Sequence, residues 1–86
     1  MSVGIETTST ITVTDVVRRI LDARAILQQV MPHDDLREAG LTSLDMVSLV
    51  LSVESEFAVQ IPEREITPTN FRSVATIETL VARLRR

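Results

Sequence analysis

Four times along this 86-residue chain a hydroxyl side chain stands where a helix would open: at Thr12, Thr42, Thr67 and Ser73. Such an oxygen accepts from a free amide of the first helical turn, and an acid three residues later can accept from the cap residue's own amide. Thr12 with Asp15 and Thr42 with Asp45 have that spacing. At Thr67 the following Pro68 occupies the first helical position, where a missing amide costs nothing. The punctuation specifies helices.

The apolar pattern agrees. Val13, Val16, Val17, Ile20, Leu21 and Ile26 or Leu27 recur at three- and four-residue steps, with Arg18, Arg19, Asp22 and Arg24 mainly opposite. Gln28 to Leu41 contains Pro32, Asp34, Asp35 and Gly40, so it reads as a long ordered loop pinned by Leu36 and Leu41. A second helix is expected from Ser43 to Phe57, ended by Ile61 and Pro62. A short third is expected from Thr67 to Phe71. The fourth follows Ser73, with Val74, Ile77, Leu80, Val81 and Leu84 on one face and Arg83, Arg85 and Arg86 at its dipole-favoured end. Residues 1–11 carry no apolar period and are expected to be a flexible leader to a single domain over 12–86.

Composition narrows the class further. Aromatic residues make up 2% of the chain, so the 44% apolar content comes from side chains that pack between helices. There is no cysteine, hence no disulfide framework and no protein thiol, which fits a reducing cytoplasm. No apolar run approaches the ~20 residues that cross a bilayer, and no membrane association is expected. Residues 30–66 hold eight acids against Arg37 and Arg64, a local charge of −6, while the remainder carries +3. An acidic middle repels phosphate backbones, so nucleic acid is excluded and a basic protein patch favoured as partner.

The second helix is the informative one. Wound at 100° per residue, Met46, Leu49, Val50, Val53 and Phe57 fall in a core-facing stripe. Leu44, Val47 and Leu51 form another, bordered by Ser48, Glu54 and Ser55, and a lone small domain has no second core for it. Leu36, Gly40, Ser43, Leu44, Val47, Phe57, Ile61, Pro62 and Ser73-Val74 together resemble the acyl carrier proteins, over roughly Val13 to Leu84. The resemblance implies a four-helix bundle of acyl-carrier type, with a long loop between helices 1 and 2 and a short third helix.

It also implies that Ser43, in Thr42-Ser43-Leu44, receives 4'-phosphopantetheine from coenzyme A through a phosphopantetheinyl transferase. The arm's thiol would hold an acyl or aminoacyl group as a thioester and present it to downstream enzymes. Such a chain is a carrier, not an enzyme, and a monomer is the natural state for something that visits several partners. Thr42, Leu44, Asp45, Val47, Ser48, Leu51 and Glu54 are the expected partner-binding residues. Thr42 stands where the family has Asp, and Ser48 and Ser55 replace acids. This points away from the housekeeping fatty-acid enzymes towards a stand-alone aminoacyl or secondary-metabolite carrier with its own loading ligase.

Blander readings compete. Ser43 alone is an ordinary first-turn serine, and a four-helix interaction module that is never modified is the alternative function. Asp45 is read as a solvated capping acid before it is a partner contact. Asp34 and Asp35 are read as solubilising charge, His33 as a loop residue ten positions before Ser43, and Met46 as core. No metal site and no catalytic triad is assigned.

Overall fold

Each of the three α-helices among the described residues begins at a reciprocal capping box. The computed structural model describes residues 11–85 and contains α1 (Val13–Ala23), α2 (Ser43–Phe57) and α3 (Val74–Leu84), with one 3-10 turn at Glu63–Glu65 and no strand among those residues. Thr12 caps α1 through Asp15, Thr42 caps α2 through Asp45, and Ser73 caps α3 through Thr76. The leader expected over 1–11 lies outside the described residues except for Ile11, which packs partly buried against the core.

The helices meet along one apolar centre. Val16, Val17 and Leu21 of α1, Leu49 and Val53 of α2, and Val74, Ile77 and Leu80 of α3 are buried there, with Leu36, Leu41, Ile61 and Phe71 from the connections. Leu36 and Leu41 do pin the loop. Two backbone bonds tie it to the start of α3: the Leu36 amide donates to the Arg72 carbonyl at 2.8 Å and the Ala75 amide to that of Pro32 at 2.9 Å. Arg18 adds a third tie, Nη2 donating to the Ile26 carbonyl at 3.0 Å.

Three features differ from the sequence reading. First, α1 stops at Ala23, and the connection to α2 runs from Arg24 to Thr42 without a helix. Ala25 has φ 58°, its amide donates to the Asp22 carbonyl at 3.0 Å, and the Ile26 amide donates to that of Leu21 at 2.8 Å. This is a Schellman closure built on alanine instead of glycine, which hides it from a reading that looks for glycine. Ala58, at φ 54°, also ends α2 in the left-handed region, with the Val59 amide reaching the Glu54 carbonyl at 3.2 Å.

Second, Leu27 is almost fully exposed, because the Schellman turn carries it off the apolar face and leaves Ile26 on it. Third, the expected helix from Thr67 to Phe71 is a single turn. Thr67 Oγ1 accepts from the Asn70 amide at 3.1 Å and the Thr67 carbonyl from the Phe71 amide at 3.1 Å. The chain must then extend at Ser73 to cap α3, so no second turn can form.

Gly40 is required where it stands. Its φ is +120°, and a Cβ there would lie 3.1 Å from Ile26 Cδ1. Left-handed alanine costs roughly 1–2 kcal/mol, part of which glycine recovers. Chemical denaturation should therefore show Ala25→Gly and Ala58→Gly each stabilising the fold by up to about 1 kcal/mol, and Gly40→Ala destabilising it by at least about 1 kcal/mol.

Candidate functional site

Ser43 is the first residue of α2 and is exposed. The first amides of a helix lack intrahelical acceptors. Here the Asp45 amide donates to Thr42 Oγ1 at 3.3 Å, which leaves those of Ser43 and Leu44 without a protein acceptor among the described residues. A hydroxyl nucleophile and two free donors thus share the positive end of a fifteen-residue helix. This is a place where an esterified phosphate is welcome, and the group that the resemblance implies fits it.

Thr42 caps α2, as its spacing from Asp45 predicts. Its amide donates to Asp45 Oδ2 at 2.8 Å and its hydroxyl to the same oxygen at 3.0 Å. The Arg24 guanidinium, at the C-cap of α1, closes on that oxygen as well. Asp45 is consequently 8% exposed, which corrects the expectation of a solvated acid while its capping role holds. The Thr42 amide, then Arg24 and the Thr42 hydroxyl, hold its carboxyl below the usual carboxylate range against the opposing effect of burial.

The second apolar stripe is where the sequence puts it. Leu44 is 78%, Leu51 61% and Val47 55% exposed, and Ser48 lies exposed beside them. Met46 and Phe57 pack partly buried against the core instead. Glu54 is half-buried and occupied internally, its Oε2 accepting from the Ile61 amide at 2.8 Å; like Asp45 it is already committed within the fold. A groove of about 1310 Å³ adjoins Ser43, with Val47, Leu51, Ile66, Pro68 and Arg72 among its lining.

The remaining candidates are loop chemistry. Asp34 Oδ2 accepts from the Met31 amide at 2.9 Å, and Asp35 Oδ1 from those of Arg37 at 2.8 Å and Glu38 at 3.2 Å. Asp35 lines the groove that adjoins Ser43, whereas Asp34 does not, and no cluster that could hold a metal exists among the described residues. His33 is exposed in the same loop. No helix among them is long and apolar enough to cross a membrane. Sequence reasoning missed Arg24, whose ion pair spans 21 positions and has no local signature.

Comparison with known proteins follows the same outline. The family model described as the phosphopantetheine attachment site matches residues 12–84. Aminoacyl carrier protein 1 of Bradyrhizobium diazoefficiens is 51% identical over 65 residues, 76% of this chain and 72% of that protein. Aminoacyl carrier protein 2 of the same organism is 46% identical over 69 residues, covering 80% and 78%. The crystal structure of Bradyrhizobium japonicum glycine:[carrier protein] ligase complexed with glycylated carrier protein contains a chain that superposes with a TM-score of 0.68 at 42% identity. That match covers 79% of this chain and 96% of the other.

Because the folded Asp45 carboxyl ionises below its unfolded counterpart, its contribution to stability is complete at neutral pH. It is lost as pH falls below the ordinary carboxylate range and through the depressed folded value. Asp45→Asn should cost about 1–3 kcal/mol at pH 7, the size of hydrogen bonds to a charged group. Denaturation of both forms across the acid range should show the gap closing as the wild type loses this term.

Proposed function

Because the chain belongs to the family defined by the phosphopantetheine attachment site, we propose that it is a stand-alone aminoacyl carrier whose prosthetic arm is attached at Ser43. The family's prosthetic group is 4'-phosphopantetheine, joined covalently to the protein. When bound, the arm supplies a thiol that holds the cargo as a thioester. The observation that carries the attachment site is the exposed Ser43 hydroxyl at the first position of α2, between free amides and an apolar ridge.

The chain's own residues have defined tasks in this reading. Ser43 Oγ takes the phosphodiester, and the Ser43 and Leu44 amides with the α2 dipole favour its charge by about 0.3–1 kcal/mol. Val47, Ile66 and Pro68 line the groove beside the attachment point. Leu44, Val47, Ser48 and Leu51 form the face offered to partners, since Asp45 and Glu54 are engaged inside the fold. Recognition on this face then rests on apolar contact more than on acidic steering.

The partners are a phosphopantetheinyl transferase, an amino acid:carrier protein ligase and a downstream acceptor enzyme. The ligase assignment is supported by the relatives described above, which are aminoacyl carrier proteins and a carrier in complex with a glycine ligase. The chain itself carries and does not catalyse, and it acts as a cytoplasmic monomer. The rival reading, an unmodified interaction module, drew its main support from Thr42 in place of Asp. The capping of α2 by the Thr42 hydroxyl, which presents Ser43 at the first helical position, supports the carrier reading over that rival.

Incubation with coenzyme A and a broad-range transferase should add one phosphopantetheine mass to the wild type and none to Ser43→Ala. The product, given ATP, an amino acid and such a ligase, should gain an aminoacyl mass that hydroxylamine removes. No adduct on the wild type, or an equal one on Ser43→Ala, refutes the assignment. Leu51→Ser should leave stability within about 0.5 kcal/mol, as exposed positions do, yet raise the apparent KM for loading by the ligase. An unchanged KM removes Leu51 from the docking face.

A further inference from the structure

We infer that Arg24 is a positioning residue for the modification of Ser43: by pairing with Asp45 it keeps the cap carboxylate from opposing the phosphate that approaches two residues away. The inference rests on the attachment reading above. Its ground is a comparison of the three capping boxes within this one chain. In α1 the acid Asp15 closes the box in solvent, and no ion pair reaches it among the described residues. In α3 the box closes through Thr76, which carries no charge. A cap of this kind therefore forms without a guanidinium. Among the described residues only α2, whose first residue is the proposed acceptor, has a cation brought to its box from the end of another helix.

The placement of that cation is built into the backbone. Arg24 is the C-cap of α1, and the Schellman closure through Ala25 and Ile26 fixes the chain on its far side. Ile26 in turn packs over Gly40, where a Cβ would crowd it. Arg24 is thereby aimed at the α2 N-terminus by features unrelated to the cap it serves. Its side chain remains partly exposed and its bond is to Oδ2, the same oxygen that accepts from Thr42.

The consequence follows from the transfer itself. Ser43 Oγ forms a bond to the phosphorus that bears pantetheine, the phosphoanhydride bond of coenzyme A breaks, and adenosine 3',5'-bisphosphate leaves. The serine proton passes to a base of the transferase. Negative charge thus gathers at the mouth of α2 while Asp45 is ionised nearby. With Arg24 in place the carboxylate is balanced, and the dipole and free amides act unopposed.

The test follows the rate of arm addition by intact mass, with folding checked by circular dichroism, for wild type, Arg24→Ala, Arg24→Lys and the double variant Arg24→Ala/Asp45→Asn. Arg24→Ala should be slower by about two- to fivefold at low salt, the scale of an exposed ion-pair or dipole effect. The deficit should vanish near 0.5 M salt, where screening acts within about 3–8 Å. Arg24→Lys should recover most of the rate. The double variant should return to within about twofold of wild type, because the charge to be balanced is gone. A purely structural role, or a direct contact of Arg24 with the transferase, predicts a double variant no faster than Arg24→Ala, and that result overturns the inference. So does a rate for Arg24→Ala equal to wild type. A wild-type chain that takes no arm counts against the Ser43 reading itself, so the two failures are distinguishable.

Discussion

The Asp45 carboxylate joins the end of α1 to the beginning of α2. One of its oxygens accepts from the Thr42 amide, the Thr42 hydroxyl and the Arg24 guanidinium, while its own amide returns a bond to Thr42. Remove that group and the Thr42 amide and Arg24 lose the acceptor they share, leaving the first turn of α2 capped only by the Thr42 hydroxyl through the Asp45 amide. The rest of the domain supports this junction. The Schellman turn at Ala25 and Ile26 aims Arg24, Gly40 makes room for Ile26, and the loop bonds to Arg72 and Ala75 hold the connection against α3.

The helix so anchored is used on both sides. Leu49, Val50 and Val53 supply the core, whereas Leu44, Val47 and Leu51 remain outside it. In a chain of this size, exposing three large apolar side chains on one helix forgoes burial that the fold could otherwise use. That cost is intelligible if the ridge meets successive partner enzymes and the hydroxyl at its head carries what they exchange. The internal bonds of Asp45 and Glu54 sharpen the picture, since they leave a face that is apolar and hydroxyl-bearing more than acidic.

Much of this was legible in the residues. The caps at Thr12, Thr42 and Ser73, the span of α2 and its two stripes all follow from local hydrogen-bonding chemistry and a 3.6-residue period. What was not legible depends on contacts between distant positions or on backbone states that a side chain does not announce. Asp45 looked solvated because Arg24 lies 21 positions away. The end of α1 was set too late because alanine, not glycine, takes the left-handed position. The expected third helix proved a single turn because Thr67 and Ser73 cap in close succession, a conflict visible only when the direction of α3 is known.

The account stands on the identity of one hydroxyl. Thr42, Ser43 and Ser48 all carry hydroxyl groups at this end of α2, but that of Thr42 is engaged with Asp45, and only Ser43 combines the first helical position with free amides beside it. Fragmentation mass spectrometry of the chain, isolated after modification by coenzyme A and a transferase, reads the attachment point directly. The expected spectrum places the phosphopantetheine on Ser43 alone; an arm located on Thr42, Ser48 or any other residue contradicts the assignment.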